Sequence, residues 1–173
     1  NTHVLSSAAS DVYKRQSMNG ARITVVDRIE GAPGVAPSYS VLNLTASGDT
    51  LSGLTVSYDP IPVPDALVDS LLSPYVDKTF SLPDVREAAY LPETFPPVSA
   101  IVLGADGTAW LAREQIPDVG RQWDVVSAEG NLIASLRAPL GFTIRLVTES
   151  DVWGLVTDEF DVPYMVRRPI VRD

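Results

Sequence analysis

Residues 97–139 constrain the fold more than any other stretch. They read PVSAIVLGADGTAWLAREQIPDVGRQWDVVSAEGNLIASLRAP, four short runs rich in β-branched and aromatic residues. Ala105-Asp106-Gly107, a Pro- and Gly-bearing loop, and Glu129-Gly130-Asn131 separate them. Short strands broken by polar, Gly-bearing turns at this spacing mark an antiparallel meander. The pattern predicts strands at 98–104, 108–114, 121–127 and 132–138.

The meander repeats. Laying residues 141–153 on 98–110 puts Trp153 on Trp110, Ile144 on Ile101 and Leu146 on Leu103. After a shorter loop, Tyr164-Met165-Val166 falls on Trp123-Asp124-Val125. Upstream, residues 41–51 fall on 123–133, which brings Gly48 onto Gly130. A period of about forty residues with four strands per unit is that of propeller blades. The expected fold class is all-β, a β-propeller fragment of about two and a half four-stranded blades with a helical insertion at about 64–77.

The rest of the chain fits around this pattern. RITVVDRI at 22–29, then a hairpin of 39–45 with 51–58 about residues 47–49, would be the second to fourth strands of an earlier blade at 22–60, its first strand absent or displaced. Residues 61–97 break the rhythm. Pro64 and Asp65 precede apolar residues at 67, 68, 71 and 72, helical spacing that Pro74 stops, and residues 84–90 suit a further short turn of helix. A covering element over a seam between blades is the expected role. The blade at 98–138 follows, then a last blade at 141–173 with strands to about 147, at 152–157 and at 164–171 but no fourth. Closed propellers complete the last blade with a strand from the other chain end, so the sequence reads as a piece whose final edge is free to self-associate, while the complete protein is expected to be monomeric.

The residues that carry a family resemblance are Gly107, Trp110, Trp123, Gly130, Pro139, Trp153, Gly154, Asp158, Glu159, Val162, Tyr164 and Val166. Their pattern resembles the C-terminal part of bacterial six-bladed β-propellers related to the NHL type, over residues 20–173 and most strongly after Pro96. The resemblance implies blade architecture and an extracytoplasmic bacterial protein, and it says little of activity. The segment before it does not fit. Residues 5–16, LSSAASDVYKRQ, resemble a peptide that recurs at the ends of metagenome-derived proteins as translated sequencing adapter, so residues 1–16 are expected to be a non-native or disordered tail.

Composition excludes some function classes. A net charge of −9 and a pI near 4.5 oppose binding to a phosphate backbone, so no nucleic acid is expected. No run approaches the roughly 20 apolar residues of a membrane-spanning helix. The chain has no cysteine, and its one histidine, His3, lies in the tail. Beyond residue 16 there is thus no Ser-His-Asp set and no nucleophile elbow.

Loop parity places the candidate site. In a meander, successive connections alternate between the two ends of the blade. The tight turns at 47–49, 105–107, 129–131 and 149–151 share one end; the long loops at 30–38, 61–97, 115–120, 137–141 and 158–163 share the other. Long loops on a rigid scaffold are the usual place for recognition, which singles out Glu114, Asp118, Arg121, Arg137, Asp158, Glu159 and Asp161. Arg113, Arg121, Arg137, Arg145 and Arg167 are expected to pair with surface carboxylates. Asp158-Glu159-Phe160-Asp161 offers oxygen ligands of the kind Ca²⁺ takes, but without a calcium-loop spacing a solvated acidic turn is the stronger expectation, and no cofactor is expected. Two functions remain. One is a non-catalytic propeller that binds a protein, peptide or glycan on the long-loop end. The alternative is a metal-dependent, lactonase-like propeller hydrolase whose catalytic residues lie mostly in blades outside this sequence.

Overall fold

The structure of the chain, a computed structural model, describes residues 13–17, 19–29, 35–77, 79–89, 91–116 and 120–171. Among the described residues, eleven strands form three antiparallel sheets, each a meander in chain order. The first blade holds β1 (Tyr13–Gln16), β2 (Arg22–Ile29), β3 (Ser38–Thr45) and β4 (Thr50–Ser57). The second holds β5 (Ala100–Leu103), β6 (Ala109–Ile116), β7 (Gly120–Val126) and β8 (Leu132–Ala138). The third holds β9 (Thr143–Val147), β10 (Asp151–Thr157) and β11 (Pro163–Pro169). The all-β expectation holds, and the strand positions agree with the sequence reading to within a few residues.

The blades stack through their faces. Because side chains alternate along a strand, β6 sends Ala109 and Leu111 one way and Trp110 and Ala112 the other. Ala109 and Leu111 join Ile101 and Val126 against Val26, Tyr39 and Val41 of the first blade. Trp110 and Ala112 join Trp123 and Val125 against Phe142, Ile144, Val147 and Val152 of the third. The second blade is therefore covered on both faces along β5 to β7, while most of β8 is exposed. First strands lie side by side, β5 between β1 and β9, which gives the blades a common inner edge.

The tight turns at one end interlock. Arg22 Nη1 donates to Gly107 O, Ser52 Oγ donates to Ala128 O at 3.2 Å, and Ala105 N donates to Val147 O at 3.1 Å. Gly107 and Gly130 carry φ of 85° and 88°, the left-handed values that such hairpin turns demand and that glycine adopts without penalty. At the opposite end, α1 (Asp65–Leu72) packs on α2 (Leu82–Ala88) within the insertion. Arg86 of α2 bonds Asp65 at 2.6 Å and lies 3.3 Å from Asp69. The segment returns through a bridge between Pro62 and Thr94.

Two expectations change. The first blade has its first strand, since Tyr13–Gln16 pairs antiparallel with β2 from Tyr13↔Val26 to Gln16↔Ile23. The end of the expected tail is thus part of the sheet, while residues 1–12 lie outside the described residues. The physical reason is that β2 offers a row of open backbone groups and Tyr13 adds its ring to the seam below. The second change is one of register. Trp153 pairs with Arg167 and Leu155 with Met165, whereas Trp110 pairs with Val125 and Ala112 with Trp123. Met165, rather than Tyr164, is therefore the counterpart of Trp123, and Val166 turns back toward the second blade. A slip of one residue moves every side chain to the other face.

Trp110 is 5% exposed, and its counterpart Trp153 is half-buried because its face lies beyond the third blade. Replacing Trp110 by Ala is expected to cost about 3–5 kcal/mol, because the second seam cannot collapse around the lost ring. Urea unfolding of both proteins measures the difference, and a loss below about 1 kcal/mol would contradict this burial.

Candidate functional site

A cavity of about 330 Å³ opens at the long-loop end of the seam between the first and second blades. Four elements build it. The end of β4 and the residues after it bring Ser57, Tyr58, Asp59 and Ile61; β6 brings Arg113 and Glu114; β7 brings Gly120 and Gln122; β8 brings Arg137. The pairing of β6 with β7 is interrupted between Ala112 and Gln115, so Arg113 and Glu114 sit on a bulge. Bulges re-aim side chains, and this one turns a strand that is apolar up to Ala112 into the charged wall of a cavity. Gly120 is required by space as well as by its φ of 86°, since a Cβ there would lie 2.5 Å from Ala138 O.

Beneath the cavity lies a buried carboxylate. Asp124 is 4% exposed and accepts hydrogen bonds from Ser135 Oγ at 2.6 Å, Gln122 Nε2 at 3.1 Å and Tyr39 Oη at 3.3 Å. Arg113 supplies the countercharge, its Nη1 3.5 Å from Asp124. The same guanidinium lies over the rings of Tyr39 and Tyr58, at 5.7 and 5.2 Å. Burial, and next the charge of Asp124, push the Tyr39 phenol well above its ordinary range, so it stays a neutral donor. Arg113 is thus fixed on three sides, by one carboxylate and two rings. The buried Tyr58 hydroxyl has no hydrogen-bond partner among the described residues.

The residues singled out from sequence separate into two groups. Glu114 and Arg137 line the cavity, and Arg121 stands between the lining residues Gly120 and Gln122, its buried Nε without a partner among the described residues. Asp118 lies outside the described residues. Asp158, Glu159 and Asp161 do not line this cavity and form the exposed turn of the third blade. There Asp158 Oδ1 accepts from the backbone N–H of Phe160 at 2.9 Å and of Val162 at 3.0 Å, so this acidic run stabilises its own turn. Among the described residues no three His, Cys, Asp or Glu side chains are placed to hold a metal ion. No helix of the described residues is long and apolar enough to cross a membrane.

Sequence reasoning missed Tyr39, Tyr58, Gln122 and Asp124. A signal existed for one of them: Asp124 stands in the run Trp123-Asp124-Val125-Val126, otherwise apolar, and a charge there must find partners. The expectation that arginines pair with carboxylates holds for Arg113 and for Arg167. Arg167 grips Asp151 with two bonds, Nε to Oδ1 at 2.9 Å and Nη2 to Oδ2 at 3.0 Å. No family model matches this chain, and no curated protein matches it either.

Two outcomes follow from these ion pairs. Asp124→Ala should cost about 3–5 kcal/mol, because the Arg113 charge is left buried among rings without its partner; chemical denaturation measures it, and a loss within about 0.5 kcal/mol would show that water already reaches Arg113. The bonds from Arg167, and then that from Ser150, hold the Asp151 carboxyl below the usual carboxylate range. A depressed acid stabilises the fold above its unfolded pKa of about 4, and that stabilisation fades as pH falls through the lowered native value. Asp151→Asn should therefore lower the melting temperature near pH 7 and match the parent protein near pH 2, whereas a gap independent of pH would refute the assignment.

Proposed function

We propose that the chain is a non-catalytic binding or scaffold domain that recognises a peptide or glycan at the cavity between its first two blades. The observation that carries this reading is the combination lining one opening: Arg113 and Arg137 supply donors, Asp59 and Glu114 supply acceptors, and Tyr58 and Ile61 give an apolar wall. Ligands rich in both donors and acceptors, such as a peptide backbone or a sugar, match such a surface. Arg113 is pre-set by Asp124 and the two tyrosine rings, so holding it in place costs little further entropy on binding.

The wider context belongs to the same proposal. The stacked meanders and the Trp, Gly and Tyr pattern support a piece of a six-bladed, NHL-like propeller from an extracytoplasmic bacterial protein. The hydrolase alternative needs a cluster of metal-binding oxygens, on these blades or on others. A Ca²⁺ titration followed by assays on lactone and ester substrates distinguishes the two.

The direct test is a screen of peptide and glycan arrays with the parent protein and with Arg137→Glu. Arg137 is exposed at the cavity mouth, so its replacement should leave folding intact. The expected result is at least a tenfold weaker signal for the variant on whichever array binds, about 1.4 kcal/mol. Equal binding by both proteins would place recognition elsewhere, and turnover of a lactone would overturn the non-catalytic reading.

A further inference from the structure

We propose that the group taken by the cavity between the first two blades is the carboxylate of a peptide. The inference rests on the binding reading above and narrows it, from the donors that the cavity wall leaves unpaired.

The count starts at Asp124. A carboxylate has about four lone-pair positions, and those of Asp124 are taken: Oδ1 accepts from Ser135 and Gln122, and Oδ2 faces Tyr39 Oη and Arg113 Nη1. Asp124 thus has no further place for the Arg113 guanidinium, which carries five N–H donors. Even with the Tyr39 oxygen as a second acceptor, most of these donors are left for a third, and Arg113 lines the cavity. Arg167 is the contrast, since its two bonds to Asp151, at 2.9 and 3.0 Å, occupy one whole side of its fork. Arg113 stands farther from Asp124, at 3.5 Å.

Two further donors border the same space. Tyr58 is 7% exposed, and its hydroxyl has no hydrogen-bond partner among the described residues. A buried hydroxyl left unpaired costs stability, so its place in a cavity wall calls for an acceptor brought from outside. Arg137 is exposed and has no ion pair among the described residues. Two guanidiniums and a hydroxyl suit a planar, negatively charged acceptor with two oxygens, and the arginine fork matches a carboxylate in that way.

The rings and the charge say which molecule carries it. A sugar is drawn by its C–H face to an open aromatic face, but Tyr39 is fully buried and the Arg113 guanidinium lies over the Tyr58 ring at 5.2 Å. Neither ring is open. A polyanion is opposed by a chain of net charge −9, and the exposed Asp59 stands at the same opening. A peptide meets both conditions, because one carboxylate goes to the arginines while backbone N–H groups beside it donate to Asp59. At about 330 Å³ the cavity is small for a ligand site, so it takes one end or one side chain of a peptide rather than a length of chain.

Peptide arrays made in pairs test this, each sequence with a free and with an amidated C-terminus, and each Asp or Glu set against Asn or Gln. The full chain should bind the members that carry the carboxylate at least tenfold more strongly than their neutral partners, and the two kinds of pair tell which carboxylate it is. Tyr58→Phe should bind those members severalfold more weakly yet unfold at the same urea concentration or a higher one, because the hydroxyl it removes is unpaired; a purely structural tyrosine would not separate the two readouts. Arg113→Lys keeps the charge beside Asp124 but not the fork, and should lose the preference for carboxylate over amide. Charged and neutral partners that bind alike, with Arg137→Glu still weaker than the parent protein, overturn the carboxylate and leave the binding reading standing. Binding confined to glycans, acidic ones included, overturns the peptide assignment, and no binding on any array overturns both readings. If Arg113→Lys fails to fold, the paired arrays still decide, and Tyr58→Phe with the parent's affinity overturns the role of the hydroxyl.

Discussion

The two-sided burial of β6 and β7 in the second blade is the constraint on which the rest depends. Strand alternation allows β6 and β7 to serve two seams at once, with Leu111 and Val126 on one side and Trp110 and Trp123 on the other. A meander with only one apolar face would stop the stack after a single seam. Because both faces are apolar, each blade needs a neighbour, and the interlocked turns at Gly107 and Ala105 hold the neighbours in step. Short-range hydrogen bonding makes each blade, and the long-range cohesion comes from ring and aliphatic packing between blades.

Much of this was legible in the sequence. Gly-bearing turns and short β-branched runs identify ten of the eleven strands and their antiparallel order, because turn chemistry and local pairing are encoded within a few residues. The errors are those of local reading. Tyr13–Gln16 is short and polar, and only the open edge of β2 makes it a strand. Tyr164-Met165-Val166 has apolar residues at both parities, so sequence similarity could not choose the face, and pairing with β10 chose it. The candidate site was legible by end rather than by residue. Loop parity led to Glu114 and Arg137, but it also collected Asp158, Glu159 and Asp161, which belong to the same end of a different blade. Tyr39 of β3 and Tyr58 just after β4 lie far along the chain from Arg113, and their rings meet it only through the seam.

The two seams differ in kind. Strand register makes Leu42 and Val166 the counterparts of Asp124 in the first and third blades, and Val166 packs on the second core. An apolar residue therefore suffices at this position of the repeat, and packing alone gives no reason for a carboxylate in the second blade. Burying Asp124 requires Ser135, Gln122, Tyr39 and Arg113 to compensate for lost hydration, and an apolar replacement of the whole set would be no less stable on general grounds. What the ionic set supplies instead is position. Arg113, on a bulge and beside a cavity, is held against two rings by a charge that cannot move. The first seam gives up apolar packing at its long-loop end and in return holds a fixed cation at the cavity wall, whereas the second seam has Trp110 and Trp123 filling its core.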